Sequence, residues 1–454
     1  MMASQASHDE RWQKTLSQSK SILAVFVLAL FVRATVSAVS LADLRDDPDA
    51  YRAIAKTIIQ SGVFGLTGPD GEVRSIAFRP PLYPYVLSWT TPDVVPIAVL
   101  HVLLGSATAV FIYLATMSFS SDRRVAWFAA VLVIVDPILL QQSTVVMTET
   151  MAGAIVSAVL WQIAVAARWG FSLKRSLAIG TLLALAYLCR PTFLVWAALI
   201  VLGLAWMAFR AMRRRDQEWP WTPVFAIAGV IGITMAGWMF RNQQVVGHPV
   251  WATTHGGYTL LLANNPMYYR HLQSNNSGQA WDPQSFFDAY SHRYQGDPTT
   301  EEFWERDWSD AGDALFPPDA SEIDDDRLAM SAAKALIRRQ PVTFVRSCFS
   351  RLWRMWKPLP HVTSQRSAIS TLAVGIYFSI FYGMVVVGVW RLRKCEICLH
   401  SVLGWAILSM LLTLSAVHAV YWSNVRMRAP AVPGLAIVAA GCIYGRQKDR
   451  SIQQ

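Results

Sequence analysis

Charge is what this chain has least of. Only 15% of its 454 residues are Asp, Glu, Lys or Arg, against 54% that are apolar, a balance that argues against both an ordinary water-soluble domain and a disordered chain. Cysteine is sparse too: Cys189, Cys348, Cys395, Cys398 and Cys442 are scattered and odd in number, so no disulfide framework follows. Cys395 and Cys398 with His400 make half of a zinc site, but no second ligand pair accompanies them, which favours reduced, unligated thiols. An internal repeat is also missing, and with it the paired halves on which many transporters are built.

What is present is a succession of long uncharged stretches from Ser21 almost to the C-terminus. Only segments that close their own backbone hydrogen bonds cross lipid, so the expected fold is all-α, a polytopic membrane protein. The formal net charge of +10 does not point to nucleic acid, because the basic residues sit in short clusters between apolar stretches, where they orient a membrane protein. Residues 1–20 read as a polar cytoplasmic tail and 21–41 as a first span; Arg33 inside it is unlike the apolar core of a cleaved signal peptide.

Further spans fall at 96–119, 125–140, 145–167, 177–189, 191–209, 221–246, 373–390, 400–421 and 430–444. With about ten transmembrane helices drawn this way, every inward end carries a Lys or Arg cluster. The N-terminal transmembrane region is then 21–246, with a first outer loop at 42–92. An outer segment of 247–367, C-terminal transmembrane helices at 368–446 and a second cytoplasmic tail at 447–454 follow.

The first outer loop opens on an acidic cluster, Asp46-Asp47-Pro48-Asp49, where the apolar stretch stops. Neighbouring carboxylates suit proton abstraction or metal binding, although Asp and Pro are also ordinary helix starters. Residues 47–59 read as an amphipathic helix with Tyr51, Ile54, Ala55, Ile58 and Ile59 on one face. In Arg79-Pro80-Pro81-Leu82-Tyr83-Pro84 the prolines fix a rigid return toward the membrane. In the outer segment, Phe344, Cys348, Leu352, Met355 and Trp356 fall on one helical face and Arg346, Arg351, Arg354 and Lys357 on another. That pattern predicts a helix on the bilayer surface with its basic face near lipid phosphates.

Ionisable residues at membrane depth carry the functional reading, because lipid penalises them unless they line a cavity or find partners. Asp136, Glu149, Arg190, Arg241, Arg426 and Arg428 all fall near outer ends of spans. An outer-facing cavity with carboxylates and several guanidiniums suits a phosphorylated substrate, since the planar Arg fork binds phosphate oxygens in pairs. Taken singly, each Arg also fits a snorkelling interface residue.

In order along the chain stand Asp47-Pro48-Asp49-Ala50-Tyr51, Arg79 to Pro84 with Tyr83, Thr148-Glu149, and Leu188-Cys189-Arg190-Pro191. Arg241-Asn242, Thr254 through Gly257-Tyr258 to Asn264-Asn265-Pro266, and His418, Tyr421 and Arg426-Met427-Arg428-Ala429-Pro430 complete the series. This layout resembles the GT-C polytopic glycosyltransferases, specifically glycosyltransferase family 39, which holds the dolichyl-phosphate-mannose protein mannosyltransferases and the bacterial aminoarabinose transferases.

The resemblance implies a GT-C fold, a polyprenyl-phosphate sugar as donor and an inverting transfer on the non-cytoplasmic face. It places the general base on Asp47, with Asp46 as second candidate, and substrate binding on Arg79, Tyr83, Arg190, Arg241, Asn264, Arg426 and Arg428. For Glu149 it implies one of two roles, holding the environment of Asp47 or sharing a divalent metal with it, as happens in some relatives. Membrane lipid, the lipid-linked donor and an acceptor of unknown identity are the expected partners. The lack of an ER retention signal and the compact loops point to a bacterial inner membrane with the site facing the periplasm. A transporter or flippase of lipid-linked saccharides is the competing reading; the missing repeat and the gathering of ionisable residues at outer ends speak against it.

Overall fold

The computed structural model describes residues 2–68, 70–214, 221–274, 281–315, 317, 320–360, 367–393 and 401–444. Cys395, Cys398, His400 and the second tail at 447–454 lie outside the described residues. The chain runs through α1 (Met2–Val39), α2 (Tyr51–Ser61), the hairpin β1 (Gly65–Thr67) and β2 (Val73–Ser75), α3 (Leu82–Ser88), α4 (Val94–Ser120), α5 (Arg123–Ile134), α6 (Pro137–Gln142) and α7 (Glu149–Trp169). Helices α8 (Leu173–Cys189), α9 (Thr192–Arg214) and α10 (Thr222–Val246) complete the first half. The outer segment folds as α11 (Gly256–Ala263), α12 (Pro266–Gln273), α13 (Gln284–Ser291), α14 (Glu301–Glu305), α15 (Glu322–Arg339) and α16 (Pro341–Trp356). Then come α17 (Ala368–Leu392), α18 (Val402–Val420), a tight helical turn at Val425–Ala431 and α19 (Val432–Ala440).

Among the described residues, eight helices are long and apolar enough to cross a membrane: the part of α1 from Gln18 to Val39, α4, α7, α9, α10, α17, α18 and the run Val425–Ile443. Two of the ten expected passes are shorter. Asp136 caps α6 by accepting from the amides of Ile138 and Leu139 at 3.0 and 2.9 Å, and Pro137 follows it, so the expected helix at 125–140 is split in two. Helix α8 has 17 residues, because Pro191 pushes Arg190 out of helical geometry to φ −149° and ψ 119°.

Most of the bundle interior is apolar, with Trp196, Phe193, Tyr113 and Phe378 among its largest buried side chains, but Arg33 and Arg428 are fully buried in it as well. Where two helices meet without room for a side chain, glycine is required. A Cβ at Gly388 of α17 would overlap the backbone carbonyl of Val438 in α19. Gly388→Ala is therefore expected to push these helices apart and to lower the detergent-solubilised unfolding temperature, at a cost of about 1–3 kcal/mol. An unchanged melting curve would show that the two helices do not approach so closely.

The first outer loop is fastened from two sides. Arg241 on α10 donates to the carbonyls of Ile76 at 2.6 Å and Phe64 at 3.0 Å, with its guanidinium over the rings of Phe64 and Trp238. From the outer segment, Glu322 accepts from the amide of Ala77 at 2.7 Å and Thr254 donates its amide to the Ala77 carbonyl at 3.1 Å.

Helix α16 is turned differently from expectation: Met355 of the expected apolar face is buried and Arg346 of the expected basic face is exposed. Arg351 and Arg354 are buried, and Arg351 donates to the carbonyls of Ala263 and Ala419. The exposed face is Val342, Val345, Phe349 and Trp353, an apolar stripe at helical spacing. A basic face can turn inward when buried carbonyls satisfy it, and the apolar face is the one that gains from lipid.

Candidate functional site

Glu149 begins α7, where the helix dipole favours a carboxylate. It is 2% exposed and faces two cations brought from distant parts of the chain. Arg190, freed from helical geometry by Pro191, reaches it with Nη1 at 3.0 Å. Arg426, whose amide donates to the Asn424 side chain at the start of the turn Val425–Ala431, reaches it with Nε at 3.6 Å. Both guanidiniums also rest on thioethers, Arg190 on Met427 and Arg426 on Met147.

Two guanidiniums against one carboxylate leave one unit of positive charge uncompensated. Three acceptor atoms in and around the cluster are buried without a hydrogen-bond partner: Glu149 Oε2, Asp47 Oδ1 and His418 Nε2. Buried polar atoms ordinarily find partners. An anion that also carries hydrogen-bond donors would complement both the spare charge and the spare lone pairs.

Asp47 lies in the turn that leads into α2. The helix expected from 47 begins instead at Tyr51, since residues 47–50 form a turn in which the Ala50 amide donates to the Asp47 carbonyl at 3.1 Å. Ala50 sits at φ 59°, a left-handed conformation that costs a non-glycine residue and is met with at functional loops. Asp47 Oδ2 accepts from the Ala53 amide at 3.0 Å, while Oδ1 is left over. Tyr51 and Tyr83 meet edge to face at 5.2 Å. Tyr83 feels both Asp47 and Glu149, and Tyr51 feels Arg79, Asp49, Arg190 and Glu149. Burial, above all, raises the Tyr51 hydroxyl beyond its ordinary range. The buried face of α2 is Tyr51, Ile54 and Ala55 with Thr57; Ile59, expected on it, is exposed.

The other residues singled out from the sequence divide clearly. Asp46 is exposed. Arg79 lies at the rim, paired with Asp49 at 2.8 Å and stacked over Phe78. Beyond it, His255 sits between Phe78 and Tyr258, and burial with the nearby Arg79 charge pushes its pKa down to about 3.

Tyr83 is fully buried, and its hydroxyl is spent within the protein. His101 Nδ1 donates to the Ser143 carbonyl at 2.9 Å, so its Nε2 accepts from Tyr83 at 2.7 Å. Asn264 is also satisfied internally, by Leu260, Val420, Tyr269 and Arg351. Arg241 holds the first loop, as described above.

Arg428 donates to the carbonyls of Met355 and Lys357 at 3.0 and 2.8 Å and to the Tyr382 hydroxyl at 2.9 Å, tying the end of α16 to α17. Its charge and that of Arg33 act on Asp136, which forms a second buried group apart from Glu149. Arg33 carried the sequence signal for that group: a cation deep in the first span needs a counter-ion.

The pair expected to share a divalent metal does not fit one. Glu149 is turned to two cations, and among the described residues no group of three or more His, Cys, Asp or Glu side chains converges to hold a metal ion. Positive charge at this site comes from guanidiniums.

No protein-family model matches the chain, and no curated protein matches it. Solved structures do. The Archaeoglobus fulgidus oligosaccharyltransferase in the apo form is 14% identical over 92% of this chain and 50% of its own, with a TM-score of 0.49. AglB from Archaeoglobus fulgidus, in complex with an inhibitory peptide and a dolichol-phosphate, is 17% identical over 93% of this chain and 50% of its own, with a TM-score of 0.45. ArnT from Cupriavidus metallidurans bound to undecaprenyl phosphate is 13% identical over 94% and 78%, with a TM-score of 0.39. This chain spans about half the length of the archaeal proteins. These likenesses concern the course of the chain, and the site is read from its own residues.

Proposed function

We propose that this protein is a membrane glycosyltransferase that moves a sugar from a polyprenyl-phosphate donor to a hydroxyl or amine of a glycolipid, glycan or protein acceptor. The observation that carries the reading is the buried Glu149–Arg190–Arg426 cluster, with its excess positive charge and unpartnered lone pairs. An anion with attached hydrogen-bond donors complements both, and a sugar phosphate is such a molecule.

In the proposed reaction the free Oδ1 of Asp47 takes the proton of the acceptor hydroxyl or amine as that atom attacks the anomeric carbon. The carbon–oxygen bond to phosphate breaks on the opposite face, and polyprenyl phosphate leaves with the electron pair. Arg190 and Arg426 stabilise its growing charge, and configuration at the anomeric carbon inverts. Arg79 at the rim stands on the acceptor side. In a bacterial inner membrane the site would open to the periplasm.

The test is reconstitution in liposomes with a polyprenyl-phosphate sugar and a cell-envelope extract as acceptor source. Polyprenyl phosphate should be released, and EDTA should change the rate less than about twofold, since the guanidiniums do the work of a metal. Sugar lipid that crosses the bilayer with its phosphate bond intact would identify a flippase instead.

A further inference from the structure

One group at the cluster has no assigned task. His418, in the last turn of α18, is 6% exposed, and Arg190, Glu149 and Arg426 all act on its ring. Its Nδ1 donates to the Trp422 carbonyl at 2.8 Å. A carbonyl only accepts, so this bond fixes the tautomer and leaves the lone pair on Nε2. That Nε2 is buried and unpartnered. With guanidiniums on hand for phosphate, an imidazole lone pair adds nothing for an anion; it needs a donor.

We propose that His418 Nε2 reads the sugar, accepting a hydrogen bond from a hydroxyl or amino group of the transferred residue next to the phosphate. The inference rests on the donor reading given above and names the subsite within it. It makes His418 a specificity-determining residue: bare polyprenyl phosphate has no use for it, whereas a sugar that places an O–H or N–H there gains a buried hydrogen bond. A sugar lacking that group leaves the lone pair unsatisfied, which is the stronger source of discrimination.

The two ring nitrogens can be separated by substitution. His418→Asn keeps a donor near the Nδ1 position for the Trp422 carbonyl and removes the Nε2 acceptor; His418→Gln extends an amide to the Nε2 position. Purified full-length protein is titrated with undecaprenyl phosphate and with its mannosyl, glucosyl and 4-amino-4-deoxyarabinosyl phosphodiesters, reading Kd and unfolding temperature.

The expected result is that at least one sugar lipid binds the wild type about tenfold more tightly than the bare phosphate. His418→Asn should lose that increment while keeping its unfolding temperature and its affinity for the bare phosphate, and His418→Gln should recover part of it. The inference is overturned if the increment survives His418→Asn, if no sugar adds affinity in the wild type, or if bare phosphate binding falls equally. Wild-type protein that ignores undecaprenyl phosphate altogether would sink the donor reading as well.

Discussion

Asp47→Asn should stop turnover while leaving the protein folded and able to bind its donor. Asn caps a turn about as well as Asp, so its amide oxygen can keep the hydrogen bond from the Ala53 amide, 3.0 Å long in the parent. What disappears is the basic oxygen: Oδ1 is buried without a partner, and an amide there cannot take a proton. General-base catalysis accounts for roughly 10²–10⁴-fold in rate, so release of polyprenyl phosphate should fall by about that factor. Affinity for polyprenyl phosphate should stay within about twofold, because Arg190 and Arg426 are untouched. Asp46→Asn is the comparison. Asp46 is exposed and makes none of these contacts, so its exchange should cost at least about tenfold less. Equal losses at the two positions would assign the base elsewhere.

The parts of this molecule legible in the sequence are those set by local chemistry. Pro191 breaks a helix wherever it stands, and the Arg190 before it was bound to leave helical geometry. Glu149 at the head of a span announces itself because membrane depth tolerates few carboxylates. The acidic turn at Asp47, the proline-stiffened return at Arg79 and eight of the apolar spans are of the same kind.

Pairing is what stayed hidden. Nothing local tells Arg426 that its partner is Glu149, or Arg428 that it will hold the end of α16, although the two arginines are separated by one residue. Arg241 and Asn264 look like ligand-binding residues in a list of polar groups, yet backbone carbonyls are the commonest acceptors in a protein and these two side chains found them first. Periodicity separated two faces of α16, but that Arg351 turned inward depended on the carbonyls of Ala263 and Ala419, far off in sequence. For a helix beside lipid, the apolar face can look outward, the reverse of the rule for water-soluble proteins.

Glu149→Gln should have the largest effect on stability, and the donor should partly undo it. The exchange keeps volume and shape but leaves Arg190 and Arg426 facing each other across a site where Glu149 is 2% exposed. Removing one partner from a buried charge group costs about 3–5 kcal/mol, chiefly because the remaining charge is left uncompensated. The unfolding temperature should fall by several degrees, and Glu149→Gln with Arg190→Met should regain part of the loss, since the double variant has one guanidinium to satisfy instead of two. A phosphate seated between the arginines supplies the missing negative charge. Undecaprenyl phosphate should therefore raise the unfolding temperature of Glu149→Gln by more than it raises that of the wild type, where the carboxylate already neutralises one cation and repels the incoming anion. A non-ionic lipid of the same chain length should help both proteins alike. Equal stabilisation of parent and variant by the phosphate would place the anion away from Arg190 and Arg426, and the donor-binding reading of the cluster would have to be given up.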